Sequence, residues 1–208
     1  MRKQLEGHPN NGGGISIEDD ISKIKSKDVK SHNCHISGAL VENCFNQGIH
    51  ISAYGAILEN SKIFGTLLAD RRKNIAGLFG SNIVVLGKGS LSVSNTDIAN
   101  SQSHGIALLG GDAFLPSLAF DGRIDRSGGH GMFARNVTSL TVSEPSKIQQ
   151  SVNGPDSNGI RVDSTYGAID PYSNGFVGIS GGINQSAGAA IAISSTKMRS
   201  SETSRWII

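Results

Sequence analysis

Arg135 and Arg161 each lie on a short alternating segment opened by glycine, Gly131-Met132-Phe133-Ala134-Arg135 and Gly159-Ile160-Arg161-Val162-Asp163. Strand alternation that turns Met132 and Ile160 inward turns Phe133, Arg135, Arg161 and Asp163 outward on one face. Guanidinium groups on neighbouring strands form forks for an oxyanion, which suits the carboxylate or sulfate of an acidic glycan. Phe133 would add a flat surface for a sugar ring. The same arginines could instead pair with Asp163, Asp125 or Asp121 as a solvated network. His104 and His130 each precede a glycine and read either as turn residues or as proton-transfer groups. His8, His32, His35 and His50 have no metal-ligand spacing, and no metal is expected.

The elements that would position these residues come from a repeat. Glycines at 48, 77, 105, 131, 159 and 188 are 29, 28, 26, 28 and 29 residues apart, and an apolar alternation follows each. Between them Leu58-Glu59-Asn60-Ser61-Lys62-Ile63 matches Val93-Ser94-Asn95-Thr96-Asp97-Ile98, with looser copies at Val142 to Ile148 and Ile179 to Ile183. A two-residue period rich in Ile, punctuated by Gly, Ser and Asn, excludes a helical solenoid. The expected fold is all-β, a right-handed parallel β-helix, or β-solenoid, of about six or seven coils sharing one core. Residues 33–193 form it, and Asn60 and Asn95 are candidates for a hydrogen-bonded ladder between coils.

Residues 1–32 are an N-terminal segment with two readings. Ser16-Ile17-Glu18-Asp19, followed by Ile21 and Ile24, has the pattern of a short capping helix, while Gly14-Ile15 could instead begin a first coil. Residues 194–208 read as a polar C-terminal tail carrying Trp206-Ile207-Ile208, which would fold back or meet a partner. Nineteen Lys and Arg against seventeen Asp and Glu give a net charge of +2, too balanced for a nucleic-acid footprint. No apolar run reaches the ~18 residues of a membrane span, and no signal peptide is visible. The two cysteines, Cys34 and Cys44, read as free thiols packed as small core residues.

The glycine-aliphatic alternation with Asn turns, over Asn33 to Ile193, resembles the pectin lyase-like superfamily. The resemblance implies a groove for polysaccharide and an extracellular or virion-associated setting, with lyase, hydrolase and epimerase chemistry all open. Polygalacturonases in that superfamily carry Asn-Thr-Asp, a double Asp, Gly-His-Gly and Arg-Ile-Lys on successive coils. Here Asn95-Thr96-Asp97, Gly110-Gly111-Asp112, Gly129-His130-Gly131 and Arg161-Val162-Asp163 follow in that order. The resemblance casts Asp97 and Asp112 as catalytic carboxylates, ~6.5–9.5 Å apart if inverting, with His130 supporting one of them and Arg161 on a uronate. It also makes calcium the one cofactor to consider.

Three departures weigh against that chemistry, the first being Asp163 in the place of the closing Lys. Lys62 takes the place of Asp97 one coil earlier, and alignment on the strands puts the double Asp at Ser103-His104 rather than at Asp112. The competing reading is a non-enzymatic structural or adhesive β-helix, such as a tailspike segment or bacterial surface protein. Monomer and homotrimer are both open.

Overall fold

The computed structural model describes residues 14–18, 33–53, 55–68, 78–86, 90–110, 116–151, 157–164 and 176–195. No helix occurs among them. The strands in chain order are β1 (Ile15–Glu18), β2 (Asn33–Ser37), β3 (Leu40–Glu42), β4 (Gln47–Ser52), β5 (Gly55–Glu59), β6 (Lys62–Phe64), β7 (Ser81–Leu86), β8 (Ser90–Ala99) and β9 (Ile106–Leu109). They continue as β10 (Ser117–Ser127), β11 (Met132–Arg135), β12 (Ser139–Val142), β13 (Lys147–Ser151), β14 (Ile160–Ser164), β15 (Phe176–Ile179), β16 (Gly182–Ser186) and β17 (Ile191–Ser195).

Two sheets of parallel strands result. The first joins β1, β4, β7, β9, β11, β14 and β17 side by side in that order. The second runs β15-β12-β10-β8-β5-β2, and the later halves of β8 and β10 carry a second limb with β6 and β13. Parallel neighbours cannot be joined by a tight hairpin, so each return to the first sheet passes through the second.

Register stacks like on like. Ile15, Ile49, Ile83, Ile106, Met132, Ile160 and Ile191 form one column of the first sheet. Ile63, Ile98, Ile124, Ile148 and Ile183 form one in the second. Residues of both columns belong to a single apolar cluster. Each buried Ile contributes on the order of 1.5–3 kcal/mol, so this shared core is the main source of stability.

The repeat is less even than glycine spacing suggests. Members of the first column stand 34, 34, 23, 26, 28 and 31 residues apart. Gly77 lies outside the described residues, and Asn82 occupies the place before Ile83 that Gly48 and Gly105 hold in their repeats. A Cβ on Gly105 would stand 2.5 Å from Ile124 Cγ2 and 2.6 Å from Gly131 O, which explains the glycine there. Asn82 is fully buried, and its amide donates to Ala99 O at 2.8 Å.

Ser16 to Glu18 are strand, as the first-coil reading from Gly14-Ile15 has it; Asp19, Ile21 and Ile24 of the helical reading lie outside the described residues. In β1, Ile15 pairs with Ile49 and Ile17 with Ile51, so that the two isoleucines extend two neighbouring apolar columns of β4. The strand β17 includes Ser194 and Ser195; Trp206-Ile207-Ile208 lies outside the described residues. The Asn ladder forms as expected: Asn95 Nδ2 donates to Asn60 Oδ1 at 2.8 Å, with both residues left-handed at φ 44° and 50°. Cys34 and Cys44 are free and half-buried, and burial pushes the Cys44 thiol upward.

Candidate functional site

The outer face of the first sheet carries the arginine pair. β11 and β14 are adjacent, and their register sets Phe133 beside Arg161 and Arg135 beside Asp163. Both arginines reach the same carboxylate. Arg161 Nε donates to Asp163 Oδ1 at 3.1 Å and Oδ2 at 3.3 Å, while Arg135 Nη2 lies 3.8 Å from Oδ2. The guanidinium-bearing side chains are 39% and 37% exposed against 13% for Asp163, so the anion is the more covered partner. Two guanidinium groups and one carboxylate leave a formal charge of +1. Arg135 Nε is buried without a hydrogen-bond partner.

Phe133 points outward, yet it is only 5% exposed. Its ring packs on His104 and His130, with centroids 5.1 and 5.8 Å away, and the Arg135 guanidinium sits 5.3 Å from its centroid. These neighbours occupy the faces that a sugar ring would use. Phe133 therefore supports Arg135 through a cation–π contact instead of forming an open platform.

His104 and His130 belong to a second arrangement that the sequence reading did not contain. Their rings stack, with centroids 5.0 Å apart and planes within 3°. Each side chain accepts the backbone N–H of the equivalent residue one repeat later. His130 N donates to His104 Nδ1 at 3.0 Å, Asn158 N to His130 Nδ1 at 3.0 Å, and Ala189 N to Asn158 Oδ1 at 2.8 Å. Ser81 Oγ takes His104 N in the same way at 3.3 Å. An Nδ1 that accepts must be unprotonated, which fixes the neutral Nε2–H tautomer. Burial, and then the neighbouring His130, lower the pKa of His104 to about 3. The signal was present in sequence, since Ser81, His104, His130 and Asn158 each stand immediately before the first-sheet column's Asn82 or glycine.

Of the catalytic candidates the structure describes only Asp97 and His130, and they stand at different places in the fold. Asp97 is exposed on the second sheet, in register with Lys62 on one side and Arg123 on the other. His130 sits at the entry to β11 in the first sheet, with Nδ1 committed to Asn158. Asp112 lies outside the described residues. Among the described residues no cluster of three or more His, Cys, Asp or Glu could hold a metal ion, and no helix is long and apolar enough to cross a membrane.

No family model, curated protein or solved structure matches the chain.

Proposed function

We propose that the chain is a right-handed parallel β-helix of pectin lyase-like type that binds an acidic polysaccharide on its first sheet. The winding is inferred from strands that return to the first sheet in chain order, together with the usual right-handedness of parallel crossovers. The observation that carries the binding reading is the pair Arg135 and Arg161, on adjoining coils with one covered carboxylate between them. Such a cluster is pre-oriented by Asp163 and keeps donors free for a uronate carboxylate or a sulfate. The bound polymer would cross the coils, which repeat every ~4.8 Å.

Binding without cleavage is favoured over catalysis, because Asp97 lies on the second sheet while His130 leads into a strand of the first, and His130 Nδ1 is already an acceptor within the fold. The structural or adhesive alternative shares this feature. Mass spectrometry of polygalacturonate, alginate and hyaluronan after incubation with the protein, with and without calcium, separates the cases. Intact polymers that nonetheless bind are expected. Unsaturated fragments would make the chain a lyase and saturated ones a hydrolase, and absence of binding would leave the structural role.

A further inference from the structure

We infer that the second sheet holds a separate anion site, built by Arg123, Arg126 and Lys147 around Asp125, for carboxylate or sulfate groups of an acidic polysaccharide. It rests on the glycan-binding reading for the class of ligand, but on different residues for the site.

Asp125 lies near the end of β10 and is 8% exposed. Arg126 Nε approaches its Oδ2 at 3.2 Å and Arg123 Nη2 at 3.5 Å, while Gln149 Nε2 donates to Oδ1 at 3.3 Å. The carboxylate thus orients two guanidinium groups whose side chains remain 51% and 56% exposed. This repeats the design of Arg135, Arg161 and Asp163 on the other sheet.

The neighbouring strands add charge of one sign. Lys147 stands in register with Arg123 on the adjoining strand, and both are turned outward by the buried Ile124 and Ile148 beside them. Like charges directly opposite at ~4.8 Å repel each other, and an oxyanion between them turns that contact into an attraction. On its other side Arg123 meets Asp97, which itself has Lys62 beyond it. Lys62, Arg123, Arg126 and Lys147 against Asp97 and Asp125 leave the surface with a formal charge of +2.

Arg126 adds a further indication. It is left-handed at φ 53°, in a position that Asn43, Gly65 and Asn100 fill in earlier repeats. Asn and Gly adopt that conformation readily, whereas other residues give up about 1–2 kcal/mol. An arginine there sets a second guanidinium beside Arg123. Arg123 and Arg135 fall in one repeat and Lys147 and Arg161 in the next, so the two cationic sites occupy the same two levels of the stack.

The test is isothermal titration of a heparin octasaccharide and a polygalacturonate octamer into wild type, Arg123→Gln/Lys147→Gln and Arg135→Gln/Arg161→Gln, each first checked for an unchanged melting curve. At low salt each double variant is expected to bind at least one octamer about tenfold more weakly than wild type, with a shallower salt dependence. Unchanged binding by Arg123→Gln/Lys147→Gln, with loss in the other variant, would overturn this site and leave the glycan reading standing. Loss only in Arg123→Gln/Lys147→Gln would keep this site and remove the first. No binding by wild type would overturn both, and equal binding of single-stranded DNA of matched charge would overturn the glycan class.

Discussion

The Nδ1 of His104 accepts the backbone N–H of His130 at 3.0 Å, and the two imidazole rings lie 5.0 Å apart and almost parallel. One side chain therefore ties two repeats together and requires itself to be uncharged. Protonation would replace an acceptor by a donor facing another donor.

Acid sensitivity follows from this bond. The unfolded chain takes up a proton on His104 near pH 6.5, whereas the folded chain resists it down to about 3. Stability from this residue is complete above pH 6.5 and is lost progressively as pH falls toward 3, with a slope of up to about 1.4 kcal/mol per pH unit. Urea unfolding at pH 7, 5.5 and 4 should show a steeper loss for wild type than for His104→Asn. Parallel losses would refute the assignment.

The ladder should accept another acceptor more readily than none. Asn158 already performs the role of His130 one repeat later, so His130→Asn keeps an acceptor for Asn158 N–H and loses mainly ring stacking, about 0.5–1.5 kcal/mol. His130→Leu leaves that N–H unpaired, at about 1–3 kcal/mol. Chemical denaturation should rank wild type first, then Asn, then Leu; a Leu variant as stable as the Asn one would remove the ladder's energetic role.

At the bend of the second sheet, Asn95 combines a left-handed backbone with a side-chain bond to Asn60. Asn95→Gly keeps the backbone conformation and loses the bond, while Asn95→Val loses both and adds steric strain of about 1–2 kcal/mol. The melting temperature should fall slightly for Gly and further for Val. The reverse order would mean that strand propensity outweighs the bend.

Asp163 should restrain the site it organises. Asp163→Asn removes the carboxylate between Arg135 and Arg161 and raises the formal charge of the cluster from +1 to +2. Stability should change by no more than about 1 kcal/mol, since the arginine partners are partly exposed and solvent screens them. Affinity for acidic oligosaccharides at low salt should rise severalfold, and the gain should fade as salt increases. A weaker-binding variant would contradict this and show that the pre-orientation supplied by Asp163 outweighs the cost of its charge.

Much of the architecture was legible because register magnifies simple patterns. Ile63 and Ile98 share a column, as do Met132 and Ile160, and the alternation correctly turned Arg135 and Asp163 to the same side. Repeat length was not legible from glycine alone, since Asn82 fills a glycine place and satisfies half of its amide through Ala99. The Phe120 to Ile124 copy was hidden by the register shift at Asp121 and Gly122. Alternation also says which way a side chain points but not what covers it: Val84, Ala107 and Phe133 point away from the main apolar cluster and are nevertheless buried. The polygalacturonase-like order of Asp97 and His130 could not reveal that Asp97 lies in the second sheet while His130 stands just before a strand of the first.

The most direct test of glycan binding at the first sheet is the affinity of a polygalacturonate octamer for wild type and for Arg135→Ala/Arg161→Ala, measured by isothermal titration at low and physiological salt. Binding by wild type that weakens at least about tenfold in the double variant is the expected result. Equal affinity in both proteins would contradict an acidic-glycan site at Arg135 and Arg161.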